Sequence, residues 1–337
     1  MQRQAYRLHS GSLAYMQLTE EELPAPGPGE ATIAVEAIGL NFADIFAIWG
    51  LYGATPEGEF VPGLEYAGVV ARVGEGVTRV KEGERVMGVT RFGAYATHLN
   101  IDARYLLPIP EAWSFEEGAA YLVQVLTAYY GLKELGNIQQ GQAVLIHSAA
   151  GGVGTWANRI AKKFDAFTIG TVGSAGKLDY LKNEGYDKGI VRSSNFKADL
   201  ESALGGRELN LIMECIGGKI LKDGYEVLGQ QGRMIVYGSA RYGSVGNRPN
   251  YLKLIWCYLT RPRLDPQKMP EANKGVLGFN LIWLDHRVEL MHQLLGELDQ
   301  MELGRPCVGH TFPLEKMKAA ILLFQSGKTM GKVVVKV

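Results

Sequence analysis

The chain has 337 residues, room for two domains with separate cores at about 100–200 residues each. Hydrophobic residues make up 47% and charged residues 21%. Lys plus Arg equals Asp plus Glu at 35 each, so no net field draws the chain to nucleic acid or an anionic membrane. Residues 1–10 lack the apolar core of a secretory leader, and the longest apolar stretch, 118–132, is too short to span a bilayer. Cys215, Cys257 and Cys307 are widely separated with no Cys-x-x-Cys pair; this excludes a four-cysteine zinc site and predicts reduced thiols in the cytoplasm.

The first third reads as strands and turns. Pro24-Ala25-Pro26-Gly27-Pro28-Gly29 breaks regular structure, after which Ile33, Val35 and Ala37 alternate with Thr32, Ala34 and Glu36 as in a half-buried strand. Ala67, Val69, Ala71 and Val73 repeat that pattern. Gly74-Glu75-Gly76 and Lys81-Glu82-Gly83-Glu84 turn the chain, and 85–89 is a further strand. Short strands between glycine turns predict a barrel-like β domain. Ser114 and Glu117 then form a capping box ahead of a helical apolar run at 119–132.

From there strands and helices alternate. Strands are predicted at 143–147, 167–171, 189–191, 209–213, 234–237 and 275–282. After the first of them, Val153, Trp156, Ala157, Ile160, Ala161 and Phe164 share one helix face. Such alternation means βαβ crossovers and a parallel sheet. Residues 285–303 and 314–324 read as helices, the second stopped by Gly327, and 332–337 as a final strand. The expected architecture is α/β: a β-rich domain from both chain ends (1–125 and 283–337) with a doubly wound dinucleotide-binding domain (126–282) between them.

The functional signal lies in His147-Ser148-Ala149-Ala150-Gly151-Gly152-Val153-Gly154, which follows an apolar strand and opens the amphipathic helix. Ala149, Gly151 and Gly154 occupy the small-residue positions of a dinucleotide turn. The first allows a tight turn, the second lets the backbone approach a pyrophosphate, and the third lets helix and strand pack closely. The helix N-terminus offers free N–H groups to phosphate, with Ala150, Gly152 and Val153 completing the predicted contact. A NAD-binding turn carries an acid about 20 residues on, at the end of the second strand. Here that strand runs into Val172-Gly173-Ser174 with no Asp or Glu, and Lys177 and Arg192 follow. The missing acid leaves nothing at Gly173 and Ser174 to repel a 2′-phosphate and predicts NADPH over NADH; Lys177 and Arg192 are either solvated surface charges or, with help from Ser174, ligands of that phosphate.

Several stretches together resemble the medium-chain dehydrogenase/reductase superfamily: Gly39-Leu40-Asn41-Phe42-Ala43-Asp44, Gly50-Leu51-Tyr52, Pro62-Gly63-Leu64-Glu65-Tyr66-Ala67-Gly68, the glycine turn, and Gly278-Phe279-Asn280-Leu281. The similarity is greatest to the zinc-free quinone oxidoreductases (the zeta-crystallin group), in the branch named after the synaptic-vesicle membrane protein. The resemblance implies a GroES-like barrel domain and a Rossmann domain with the active site between them, and it implies that Lys177 and Arg192 bind the 2′-phosphate. It also implies loss of a metal site. Zinc alcohol dehydrogenases have Cys at Asn41 and His at Leu64, with the third ligand falling near Val123, and Leu and Val cannot ligate zinc.

Within that resemblance, Asn41 has two readings: an amide bonding the nicotinamide ribose or a substrate carbonyl, or a loop or helix cap. Tyr52 either serves the substrate oxygen or lines the wall, and Phe46 stands where many relatives carry a second tyrosine. Thr127 matches a threonine near the nicotinamide, unless its hydroxyl bonds its own helix. Gly238 and Ser239 follow a strand where cofactor meets backbone. Phe279, Asn280 and Leu281, expected on the last sheet strand, flank the nicotinamide or belong to the core. Glu65 is expected in a structural salt bridge. Residues 241–274 read as a lid, a dimer contact or, most simply, a buried surface helix.

The leading expectation is hydride transfer from NADPH to a quinone or conjugated enone, acceptors that delocalise charge without a Lewis acid. The alternatives are an enoyl-thioester reductase, a zinc-free alcohol or keto reductase, or an NADPH-binding sensor or interaction protein with little turnover. A homodimer is expected through the edge strand near 275–282.

Overall fold

The computed structural model describes residues 1–337 and gathers the alternating segments of the first third into one seven-stranded sheet. Its order is Val308–Pro313, Lys332–Lys336, Glu30–Gly39, Glu65–Val73, Arg85–Val89 and Leu106–Pro108, with His98–Asp102 also paired to Glu30–Gly39. Val334 stands opposite Gly39, so the two chain ends share this sheet. Its core includes Ile33, Val35, Ile38, Tyr66, Val70, Ile321 and Val335. The expected alternation of Ala67, Val69, Ala71 and Val73 fails: Glu65 to Gly68 and Val70 are buried while Val69, Ala71 and Val73 are half-buried. Two register shifts against Glu30–Gly39, near Thr32 and Val35, break the period of two.

The second sheet has six strands, all parallel: Lys188–Val191, Phe167–Val172, Ala143–Ile146, Leu209–Glu214, Leu228–Val236 and Gly275–Gly278. Every residue of Ala143–Ile146 is buried, as a central parallel strand covered on both faces requires. Chain order reverses between this strand and Leu209–Glu214, which opens a crevice beyond their C-terminal ends. Helix Gly152–Lys162 covers one face with Trp156, Ala157, Ile160 and Ala161 buried. Thr155 and Asn158 are buried beside them because the Thr155 hydroxyl donates to Gly151 O at 3.0 Å and the Asn158 amide to Glu184 O at 2.6 Å.

Four expectations change. The strand expected at 275–282 stops at Gly278, because its ladder with Leu228–Val236 ends at the Val236–Gly278 pair; Leu281–Leu284 is a 3₁₀ turn. Phe279, Asn280 and Leu281 thus leave the sheet and face the crevice. The apolar run at 119–132 is not one helix. It breaks at Tyr121, resumes as Leu122–Tyr129 and ends in a π-helical turn, Tyr130–Leu135. The helix expected at 285–303 spans only Val288–Asp299. Within 241–274, helix Tyr251–Leu259 is no buried surface helix: Leu252 is 82% and Trp256 66% exposed. No helix is long and apolar enough to cross a membrane.

Candidate active site

The glycine turn caps the crevice between the two sheets. Gly151 is the N-cap of helix Gly152–Lys162, whose first N–H groups have no partners inside the helix. A Cβ at Gly154 would lie 2.6 Å from the Ala149 Cα and the Ser148 carbonyl oxygen, so only glycine lets the helix seat this close. A Cβ at Gly152 would strike the buried Gln124 amide. The cavity in front of the turn has a volume of about 1120 Å³, and Ala150, Gly151, Gly152, Val153 and Gly154 line it. Ala149 does not. It is fully buried under the turn, with its N–H on Thr171 O at 3.0 Å, and Ser148, at φ +51°, lines the cavity instead.

At the end of strand Phe167–Val172, Gly173, Lys177 and Arg192 line one end of the cavity; Ser174 is exposed and lies outside the lining. Arg192 lies across Gly173, where a Cβ would come within 3.2 Å of its guanidinium. Lys177 donates to the carbonyls of Gly327 and Thr329 at 2.7 and 2.6 Å. Burial, and then the neighbouring Arg192 charge, lower its pKa. Neither cation meets a carboxylate, so the two repel each other in a concave site that an anion would relieve. Together with the open helix N-terminus, this set fits a pyrophosphate bearing a ribose 2′-phosphate.

At the other end, Tyr52 donates to Asn280 Oδ1 at 2.8 Å. Phe279 packs against Tyr130 of the π turn at 5.1 Å between centroids. Leu281, Gly238 and Ser239 line the wall between. The Thr127 hydroxyl, although at the wall, is spent on Val123 O at 2.6 Å in its own helix.

Comparison with known proteins agrees with this geometry. Residues 27–111 match the alcohol dehydrogenase GroES-like domain and residues 152–255 the domain described as zinc-binding dehydrogenase. The human synaptic vesicle membrane protein VAT-1 homolog is 36% identical over 314 residues, 92% of this chain and 79% of that protein. The chain belongs to the medium-chain dehydrogenase/reductase superfamily, in its zinc-free quinone-oxidoreductase and VAT-1-like branch. Among solved structures, a mycobacterial protein complexed with NADPH superposes with a TM-score of 0.86 at 27% identity, over 99% of this chain and 100% of the other. The quinone oxidoreductase of Thermus thermophilus, also solved with NADPH, superposes at 0.80 and 29%, again over 99% and 100%.

The metal positions of this superfamily are filled by other chemistry here. Leu64 is buried beside Ala54 and Ile282, and Val123 packs against them. The Asn41 amide nitrogen donates to Glu65 Oε1 at 2.9 Å and Gly39 O at 3.3 Å, while its oxygen accepts from the Lys332 ammonium at 2.9 Å. Lys332 also pairs directly with Glu65, whose second oxygen accepts the Val123 N–H at 3.2 Å. Both amide hydrogens of Asn41 are thus engaged within the protein, leaving none for the ribose or substrate carbonyl expected from sequence. The residue also starts helix Phe42–Ile48, its N–H on Asp44 at 2.8 Å. No three His, Cys, Asp or Glu side chains are close enough to share a metal ion, and 152–255 holds no histidine and one cysteine, Cys215.

Sequence reasoning missed two parts of the site. Lys332, 1% exposed, reads in sequence as an ordinary strand-end lysine. The 327–331 loop closes over the glycine turn, with Gly331 N on Ala150 O at 2.9 Å. The paired glycines Gly327 and Gly331 were its only visible signal; both have positive φ, and a Cβ at Gly331 would meet Cys307 O at 2.6 Å.

Proposed function

We propose that the chain is a zinc-independent NADPH oxidoreductase acting on a quinone or conjugated enone. The observation that carries this reading is the pair Lys177 and Arg192, neither held in a salt bridge, set in the same cavity as the glycine turn. The N–H groups of Ala150, Gly152, Val153 and Gly154 are assigned to the pyrophosphate, that of Gly151 being held by Ser148 O at 2.8 Å, and Lys177 and Arg192 to the 2′-phosphate. The segments at Gly238–Ser239 and Phe279–Leu281 are assigned to the nicotinamide half. Both solved relatives named above hold NADPH, and one is a quinone oxidoreductase.

Bound NADPH supplies the hydride; the protein's part is to orient the acceptor and keep water out. Apolar walls from Leu254, Phe279 and Leu290 suit a flat, poorly hydrated acceptor. Burial pushes the Tyr52 phenol up to about 12, against the Asn280 bond and with the Asp44 charge. Tyr52 therefore keeps its proton at neutral pH and donates it as a hydrogen bond, exchanging Asn280 for the acceptor oxygen as charge builds there. Quinones and conjugated enones spread that charge themselves, which fits a site without a Lewis acid. We assign catalytic duty to residues 1–125 and 283–337, nucleotide binding to 126–282, and a cytoplasmic setting that suits three free cysteines. The unpaired outer edge of Gly275–Gly278 supports an isologous homodimer through that strand.

The test is kcat/KM for NADPH and NADH with quinone, enone and enoyl-thioester panels. It is run on the parent and on Lys177→Ala with Arg192→Ala. The parent prefers NADPH, and the double variant loses most of that preference, roughly tenfold or more per charged bond. A parent that uses NADH equally well, or reduces neither quinones nor enones, overturns the reading. A sharp monomer mass by light scattering at micromolar concentration overturns the dimer.

A further inference from the structure

Beneath the cavity floor lies a polar row that the assignments above do not use. Thr171, His147 and Glu214 stand at the C-terminal ends of three neighbouring parallel strands. Gly170 pairs with Ile146 and Ile146 with Met213, so the next residue of each strand falls in one lateral row. All three are fully buried. Polar side chains at such depth are costly unless they partner one another, and here they do. His147 Nδ1 lies 2.8 Å from the Thr171 hydroxyl, and its Nε2 lies 3.1 Å from Glu214 Oε2. That last approach is within ion-pair range but off hydrogen-bond alignment, and neither atom has another partner. The other Glu214 oxygen accepts the N–H groups of Ile216 and Gly217 at 2.5 and 2.6 Å. Burial pushes the Glu214 carboxyl up; His147 and those two N–H groups outweigh it and hold the pKa below the usual range.

The row does not stop at Thr171. Arg192 Nη1 donates to the Thr171 hydroxyl at 3.2 Å and to the Thr171 carbonyl at 3.3 Å. These are the only hydrogen bonds of its guanidinium, which otherwise lies over the bare backbone of Gly173. The direction of these bonds follows from the His147 tautomer that carries its proton on Nε2, towards the Glu214 carboxylate, and so accepts at Nδ1. Because Arg192 donates to the hydroxyl, the single Thr171 proton is free to go to His147 Nδ1, leaving an Nε2–H facing the Glu214 carboxylate. Without His147 the hydroxyl loses the acceptor that turns its proton away from Arg192.

We infer that the Thr171–His147–Glu214 row positions Arg192 for a 2′-phosphate, which makes His147 a positioning residue for the choice of NADPH over NADH. The inference rests on the assignment of Arg192 made above. A row that merely satisfied its own buried groups would, on removal, weaken the fold and every nucleotide alike. A positioning row changes the discrimination between nucleotides.

The experiment measures calorimetric Kd values for adenosine 2′,5′-bisphosphate and for AMP, which lacks the 2′-phosphate. The proteins are the full-length parent, Arg192→Ala, His147→Phe, His147→Gln and Thr171→Val. Arg192→Ala should lose most of the preference for the bisphosphate. His147→Phe and Thr171→Val should each cut it about tenfold, the loss of one well-aligned charge-assisted bond, with AMP affinity held within about twofold. His147→Gln, which keeps a donor and an acceptor, should recover part of it. If Arg192→Ala collapses the preference while His147→Phe and Thr171→Val leave it intact, or weaken both ligands equally, the positioning role is wrong and Arg192 keeps its assignment. If Arg192→Ala changes nothing, both fall. Thr171→Val preserves side-chain shape, so it decides the matter alone should His147→Phe not fold.

Discussion

The two ends of the cavity are built differently. The end assigned to the nucleotide is built largely on one continuous stretch, 148–154, whose side chains are small or absent, with Lys177 and Arg192 added from just beyond it. The substrate end is assembled from side chains far apart in the chain: Tyr52 meets Asn280 at a separation of 228 residues, and Lys332 meets Glu65 and Asn41 at 267 and 291. A site made of backbone is specified locally and needs only glycines and a helix end. A site made of buried polar side chains exists only when the whole domain is folded, and each member is expensive to orphan. The nucleotide end should therefore lose function before stability when altered, and the floor of the substrate end should do the reverse.

The sharpest break of that contrast is Lys332→Met. It leaves the Glu65 carboxylate and the Asn41 oxygen buried without their cation. Removing one partner of a buried ion pair costs about 3–5 kcal/mol. The urea midpoint should fall accordingly, and Lys332→Met combined with Glu65→Leu should recover much of the loss. AMP affinity of the folded fraction should not move. A parental midpoint in the single variant would mean that the buried pair does not carry this half of the site.

Next in size is a pH effect from the same floor. Asp44 is wholly buried; burial pushes its carboxyl up to about 7, opposed by the Asn41 N–H and the Tyr95 hydroxyl. Its folded pKa lies above the unfolded value near 4, so between those values the native state holds a proton that the unfolded state has released. Stability from this group is then whole below about pH 4 and is lost as pH rises to about 7, amounting to about 2–4 kcal/mol. Asp44→Asn cannot titrate. Urea unfolding at pH 5 and 7.5 should show the parent losing more stability across that step than the variant does; equal losses would remove Asp44 from the account.

How much was legible follows the same division. The alternation of strands and helices, the glycine turn, the missing acid after Thr171 and the absent zinc ligands all lie in local pattern, because strand–turn–helix grammar and ligand chemistry are properties of short segments. Asn41 was legible as an important residue but not as a fully occupied one, since its partner Lys332 joins it only through the terminal strand. Phe279 to Leu281 read as strand because the apolar run continues past Gly278. The run continues in order to wall the cavity, and periodicity alone does not distinguish the two. His147 was legible only as the residue that opens the glycine turn, because nothing in sequence says that Thr171 and Glu214 flank it across a parallel sheet.

Tyr52→Phe tests the substrate end by function. Losing its hydrogen bond should cost on the order of 1–3 kcal/mol of transition-state stabilisation, seen as a fall in kcat with NADPH affinity unchanged. A variant reducing every quinone and enone at the parental rate would reduce Tyr52 to a wall residue.

The smallest expected effect comes from Thr127→Val, at the junction of the two ends. The Thr127 hydroxyl bonds Val123 O, a carbonyl one helical turn back that the helix backbone already engages. Valine keeps the branched shape and removes only that extra bond, so the change should cost less than about 1 kcal/mol in stability and leave NADPH affinity within about threefold. The alternative is a hydroxyl that leaves Val123 for the nicotinamide when the cofactor enters. In that case the affinity falls about tenfold while stability without cofactor hardly changes. Measuring both on the same preparation therefore assigns Thr127: a stability loss alone makes it part of the helix, and an affinity loss alone extends the nucleotide end of the cavity by one side chain.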